Sequence, residues 1–510
     1  MHLMYINMQI VYSETDMGVP LAKTGSLYIG GEWVEPESGT AEAVINPATE
    51  EILAEAPVGS CNDADAAISA ARNAFDNGPW PMMRPVERQA KLTKFLDAID
   101  ARHDDFLALL VSEAGATQLQ AEAAHYQLPM KHARQTVALC TREPTTTYPP
   151  EVTPQADGTK ILGTSVSVRQ PVGVVGAITA YNFPFFLNLV KVIPSLAVGC
   201  TIVLKPSPYT PYSALLLGEI ADTVGLPKGT LNIVNGDVDV GEMITTDRRI
   251  DMVTFTGSDK VGSLIQTQAA PSLKRIVMEL GGKSALIVRR DANIQQAAMI
   301  GMQNFILHCG QGCALLTRQI VHNSVRAEYV ATIKAMLEHI VVGDPADPKA
   351  MVGPLIREPA RARTEELVQS AIDEGATLVA GGNRPSGLDK GFFFEPTLFD
   401  NTENHFRIAR EEVFGPVSVV IGYDDDSEAI QMANDSEYGL GGGIFSADAG
   451  AAYEMAMQLR TGGVSINGGA GTMSSLAPFG GVKRSGYGSE YGIEGLNEFT
   501  YKKTISFQAG

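Results

Sequence analysis

Three short stretches of this 510-residue chain carry side chains able to do chemistry. In Gly310-Gln311-Gly312-Cys313 a cysteine follows flexible residues and precedes the apolar run Ala314-Leu315-Leu316. Cysteine is among the most buried residue types, so the plain reading of any one thiol is an inert core residue. The glycines weigh against that here, because they let the backbone present the sulfur as a nucleophile. Cys309, in the same stretch, is a bystander or an oxidation partner. Met278-Glu279-Leu280-Gly281-Gly282-Lys283 ends an apolar strand on a carboxylate. That glutamate is a buried structural acceptor or a general base, and partial burial would raise its pKa toward neutrality. In Ala180-Tyr181-Asn182-Phe183-Pro184 the asparagine either caps a helix, as Asn before Phe-Pro does well, or aims an amide donor at an oxyanion. A fourth stretch, Phe255-Thr256-Gly257-Ser258, follows an apolar strand and opens a helix. Its backbone N–H groups can face a pyrophosphate, although a plain strand–helix turn is the better reading of these residues alone. No GxGxxG fingerprint occurs anywhere.

These residues need elements to position them. Short apolar strands over 172–178, 201–204, 231–234 and 252–255 alternate with helices over 184–198, 212–224 and 240–246. That alternation predicts βαβ units and a parallel sheet, with ligands beyond the C-terminal ends of its strands. A second α/β unit begins near 284, with strands over 285–288, 316–321 and 417–421 and helices over 294–305, 327–339 and 360–374. Upstream lie a hairpin over 28–34, a helix over 63–75 behind an acidic cap, and one long amphipathic helix over 87–114. In that last helix Leu92, Phe95, Leu96, Ile99, Phe106 and Leu110 share a face. The Thr/Pro-rich segment 145–154 marks a boundary. The glycine-rich pieces 439–443 and 480–488 read as loops. Segments 161–169 and 500–507 alternate like exposed strands, to pair with each other or with a partner subunit.

Composition limits the partners. With 39 Lys+Arg against 58 Asp+Glu the net charge is −19, which argues against a nucleic-acid surface or a polybasic membrane anchor. The apolar stretch 183–204 is broken by Asn188, Lys191 and Pro194 and reads as a buried helix and strand, not a membrane span. The five cysteines, an odd number without a CxxC pair, suggest a reducing compartment and no metal site. No signal-peptide pattern is present over 1–26, so the expectation is cytoplasmic.

One set of motifs in one order brings the parts together. Asn182 within Tyr181-Asn182-Phe183-Pro184, Lys205-Pro206-Ser207, Phe255-Thr256-Gly257-Ser258, Glu279-Leu280-Gly281-Gly282-Lys283, Gly310-Gln311-Gly312-Cys313, Glu412-Val413-Phe414-Gly415-Pro416 and Pro478-Phe479-Gly480-Gly481 follow one another. This resembles the aldehyde dehydrogenase superfamily over about 27–505. The resemblance implies an α/β fold: a Rossmann-like cofactor domain (27–144 and 170–281) after a tail over 1–26, an α/β catalytic domain (282–482), and a small bridging β-sheet (145–169 and 483–510) that joins a homodimer or homotetramer. It implies oxidation of an aldehyde to the acid with NAD(P)+, with Cys313 as nucleophile, Glu279 as general base and Asn182 as oxyanion donor. The same resemblance puts the nicotinamide cofactor against Thr179, Ala180, Tyr181, Lys205, Ser207, Pro208, Gly257, Ser258, Leu280, Glu412 and Phe414. Phe183, Leu187, Val190, Met473 and Phe479 would line the aldehyde tunnel.

Three departures from the family pattern stand out. Pro208 replaces a glutamate that accepts the adenosine ribose hydroxyls, which leaves NADP possible beside NAD. His308-Cys309 replaces Asn-Gln, and local loop packing is the plainer account of His308. Tyr181 replaces a tryptophan. The presence of Glu279 favours hydrolysis of the acyl intermediate to the free acid. Two other readings remain: a cysteine-dependent esterase or thioesterase, which would need none of the cofactor motifs, and a non-catalytic protein that kept the fold.

Overall fold

The computed structural model describes residues 19–142, 145–469 and 474–508. Met473 lies outside them. Two helix-covered sheets and a smaller one organise the chain. The first sheet has eight strands in the spatial order Glu32–Val34, Leu27–Ile29, Leu231–Ile233, Thr201–Lys205, Val174–Ile178, Met252–Thr256, Arg275–Glu279, Gly486–Tyr487. Its five central strands are parallel and its edges antiparallel. Thr201–Lys205 and Met252–Thr256 are buried along their whole length, as strands covered on both faces must be. The second sheet has seven strands, in the order Thr377–Ala380, Thr397–Asp400, Val417–Tyr423, Arg318–His322, Ala285–Val288, Gly441–Phe445, Gly463–Ile466. All its pairings are parallel except that of the edge strand Thr377–Ala380.

The third sheet is built on Lys160–Pro171. Thr145–Thr147 and Glu151–Pro154 pair with it on one side. Thr500–Gln508 pairs along the other, in register from Thr500↔Pro171 to Gln508↔Gly163. The two exposed segments read from the sequence therefore meet within one chain. Residues 483–499 do not join them: Gly486–Tyr487 extends the first sheet beside Glu279, and the helix Gly492–Glu498 follows.

Two expectations fail for identifiable reasons. The single helix over 87–114 is two, Pro85–Asp100 and His103–Ser112. Arg102 leaves helical geometry at φ −109°, ψ 23°, where its guanidinium reaches Asp105, Glu219 and the Pro20 carbonyl. The glycine run 439–443 is mostly strand, because Gly441–Phe445 is an inner strand of the second sheet. A Cβ on Gly443 would stand 2.6 Å from Leu316 and 2.9 Å from Leu286, so glycine there marks close packing on a strand.

Candidate active site

The site starts from topology. Val174–Ile178 lies between Thr201–Lys205 and Met252–Thr256, so the chain leaves the sheet's centre to opposite sides. The loops after these strands diverge and open a crevice at their C-terminal ends. Into it run Thr179–Asn182, Lys205–Pro208, Gly257–Ser258 and, from the next strand, Leu280–Gly282.

Cys313 comes from the second sheet's side. The helix Ile294–Ile306 ends, and the chain turns through His308 and Cys309, both left-handed at φ 47° and 53°. Such a turn costs about 1–2 kcal/mol per residue, and buried contacts hold it. The Gln311 side chain donates to the His308 and Pro354 carbonyls and accepts from the Ile356 N–H, all within 3.3 Å. The Asn182 amide donates to the Gln311 carbonyl at 2.8 Å, which ties the first sheet's crevice to the cysteine loop. Asn182 is not a helix cap: Phe183 holds that position before Pro184–Val198, without a side-chain cap. Gly281 and Gly282 allow the two sides to close. A Cβ on Gly281 would overlap the Glu412 carboxylate, and one on Gly282 the Cys313 carbonyl. The Gly282 N–H in turn donates to Glu412 at 2.9 Å.

Cys313 is half-buried in an apolar cluster with Leu128, Phe183, Phe186, Val190, Phe479 and Tyr491. Phe183, Leu187 and Val190 recur at helical spacing and are each partly accessible, whereas their neighbours are buried. Leu187 lies on this face but outside the cluster. Burial, and then the carboxyl groups of Glu279, Glu412 and Glu490, push the Cys313 thiol pKa well up. Cys309 packs instead into the second sheet's core, which removes it as an oxidation partner facing the same cleft. His308 lies against Phe183 and His125 and is held neutral, its pKa lowered to about 3 by burial.

Glu279 closes the last position of its strand and is fully buried, with no hydrogen-bond partner on either carboxyl oxygen among the described residues. Burial, then the nearby Glu490 carboxylate, raises its pKa well above the usual carboxylate range, and Lys191 offsets part of that. Lys191 donates to Glu490 at 2.8 Å and to the Thr254 hydroxyl at 3.2 Å, with its side chain wholly buried. Sequence reading passed over this pair. The available signal was Lys191 itself, a cation inside an apolar helix, which requires a buried counter-charge.

The crevice residues fit a dinucleotide. Lys205 is buried, and its pKa is lowered to about 8, by burial first and then against the fields of Asp237 and Glu42. The Thr256 hydroxyl is buried at the strand end, just before Gly257, without a partner among the described residues. Ser258 caps the helix Asp259–Ala269 through its hydroxyl, which accepts the Val261 N–H, and the Asp259 carboxyl accepts the Lys260 N–H, so the Asp259 N–H is the first-turn donor left at the crevice. Tyr181 stands edge-on to Phe414 and to Tyr209, 6.1 Å from each. Other predicted contacts turn away. The Thr179 hydroxyl donates to Asn188, Ser207 accepts from the Tyr209 N–H, and Leu280 packs on Gly262. Among the described residues no group of three or more His, Cys, Asp or Glu suits a metal ion.

Residues 33–505 match the aldehyde dehydrogenase family. The chain belongs to that family. It is 39% identical over 480 residues to the 3-succinoylsemialdehyde-pyridine dehydrogenase of a Pseudomonas species, spanning 94% of this chain and 97% of that one. Among solved structures, the Mycobacterium tuberculosis aldehyde dehydrogenase complexed with NAD+ is 41% identical with a TM-score of 0.88, covering 94% of this chain and 97% of the other. Staphylococcus aureus betaine aldehyde dehydrogenase, also with NAD+, is 34% identical with a TM-score of 0.90, covering 95% of each chain. The aldehyde dehydrogenase architecture read from the motif order thus holds over nearly the whole chain.

Proposed function

We propose that this aldehyde dehydrogenase oxidises an aldehyde with an apolar body to the carboxylic acid, using NAD+, as a cytoplasmic homo-oligomer. The observation that carries the reading is the approach of the half-buried Cys313 thiol, the loop-tethered Asn182 amide and the buried Glu279 carboxyl to one another beside the crevice at the strand ends. Lys205, the helix start after Ser258, Glu412 and Phe414 would hold the cofactor along the strand ends. When bound, NAD+ accepts the hydride that the oxidised carbon gives up.

The chain's own residues do the rest. Cys313 yields its proton to solvent water at the open side of the cleft, and its sulfur bonds to the aldehyde carbon. The oxygen then carries negative charge, which the Asn182 amide and the Cys313 N–H stabilise by about 3–4 kcal/mol per donor. Oxidation of that carbon leaves a thioester on Cys313. Glu279 takes a proton from water, the resulting hydroxide adds to the thioester, and the thiolate departs as the carboxylic acid leaves. Among the described residues the side chains packed around Cys313 include Leu128, Phe183, Phe186, Val190, Phe479 and Tyr491, and that apolar lining favours aliphatic and aromatic aldehydes over anionic semialdehydes.

The test is near-UV absorbance of reduced nicotinamide with purified protein, NAD+ and aldehydes from aliphatic to aromatic to carboxylate-bearing. A rise that is steepest with the apolar aldehydes is expected. No rise with any aldehyde, in folded protein with Cys313 reduced, rejects the reading.

A further inference from the structure

Pro208 leaves the ribose side of the crevice without a carboxylate on its own loop, and two carboxylates approach from elsewhere. The Lys205 stem lies against the helix Val238–Thr246: its Cδ and Cε are 3.8 Å from where a Cβ on Gly241 would stand. Asp237 occupies the cap position of that helix, is exposed, and makes no capping bond with its side chain. The loop that carries it is clamped to the hairpin formed by Ala41–Ile45 and Ile52–Pro57. The Gly59 N–H donates to the Asn235 carbonyl and the Asn235 amide to the Pro57 carbonyl, each at 2.8 Å. In the hairpin Pro57 faces Ala41, and Ala56 faces Glu42. Glu42 is exposed as well. Both carboxylates act on the Lys205 ammonium, Asp237 the more strongly. Neither carboxylate, nor the ammonium of the nine-tenths-buried lysine, has a hydrogen-bond or salt-bridge partner among the described residues. Arg357, beside the loop that carries Pro208, is engaged. It lies 4.3 Å over the Tyr209 ring and donates to the Tyr209 hydroxyl.

We infer that Asp237 and Glu42 read the adenosine ribose in this chain and supply the discrimination against a 2′-phosphate that Pro208 cannot. The inference rests on the proposed NAD+ dependence and names its determinants. A carboxylate accepts hydrogen bonds from ribose hydroxyls, and a phosphate of about −1.5 to −2 charge in the same place meets repulsion instead. Across a solvated gap of several ångströms that repulsion amounts to about tenfold in affinity per carboxylate, and salt screens it.

The experiment is fluorescence titration of the full chain with NADH and with NADPH, without aldehyde, at low and high salt. Wild type, Asp237→Asn, Glu42→Gln and the double variant are compared, with circular dichroism to establish folding. NADH is expected to bind wild type at least about tenfold more tightly than NADPH. Each single variant should narrow that gap several-fold and the double variant further. Salt should narrow it in wild type and leave the double variant unchanged. Equal affinities in wild type, or a gap that neither variant moves, overturns the inference. Failure of folded wild type to bind either cofactor overturns instead the cofactor reading on which the inference rests.

Discussion

Burial first, and then the carboxyl groups of Glu279, Glu412 and Glu490, raises the Cys313 thiol pKa and keeps it protonated. An uncharged thiol is a poor nucleophile, so attack needs Cys313 to lose its proton to water reaching its half-buried sulfur, which leaves Glu279 to act on the hydrolytic water. Cys313→Ala should abolish aldehyde oxidation while leaving NADH binding intact; appreciable residual turnover would reject Cys313 as nucleophile. Glu279→Gln should retain a rapid burst of reduced cofactor and then turn over slowly. Loss of the burst as well would place Glu279 before hydride transfer. The direction of the Glu279 shift sets the pH dependence. A base must be ionised, and a raised pKa moves ionisation upward from the ordinary carboxylate range. Steady turnover should therefore climb as pH rises through that elevated range, and the climb should be absent in the Gln variant.

At the scale of elements, two buried carboxylates hold helices in place. Lys191 on Pro184–Val198 pairs with Glu490, which follows Phe479 across an antiparallel bridge. Removing one member strands a buried charge. Lys191→Met should lower unfolding free energy by about 3–5 kcal/mol, and adding Glu490→Gln should restore part of it. Denaturant melts of the two variants test this, and equal losses would mean the pair is not coupled. Glu113, at the end of His103–Ser112, accepts the N–H groups of Tyr212 and Ser213 at 3.1 Å and so caps the helix Tyr212–Thr223. Burial raises its pKa from 4.5 to about 8. The folded state thus keeps a proton that the unfolded state releases. The resulting stabilisation is complete below about pH 4.5 and lost as pH rises through about 8, a change of a few kcal/mol. Stability measured across that window should fall more steeply in wild type than in Glu113→Gln.

For the whole molecule, the third sheet is the feature that does not complete itself. Thr500–Gln508 pairs on one edge only, and Tyr501, Ile505 and Phe507 are exposed large apolar side chains. An open edge with exposed apolar side chains invites pairing with another copy. Ile505→Lys with Phe507→Glu should reduce the mass in light scattering from that of an oligomer toward one chain. An unchanged mass would place the subunit contact elsewhere.

The sequence by itself determined the parts whose causes are local. Strands over 174–178, 201–205 and 252–256 follow from short, continuous apolar runs, and the helix Pro184–Val198 from Pro at its start and Gly199 at its end. The motif order then gave the family. What the tertiary structure decided was every relation set by distant backbone. Asn182 looked like a cap because its neighbours alone allow one, yet Gln311, far along the chain, took its amide. Gly441–Phe445 looked like a loop because glycine carries no periodicity, yet Leu286 and Leu316 needed a strand without side chains. Lys191–Glu490 and the approach of Asp237 and Glu42 to Lys205 were invisible for the same reason. Charge pairing depends on separation in space, and residues 299 apart in sequence are 2.8 Å apart only once the sheets have packed.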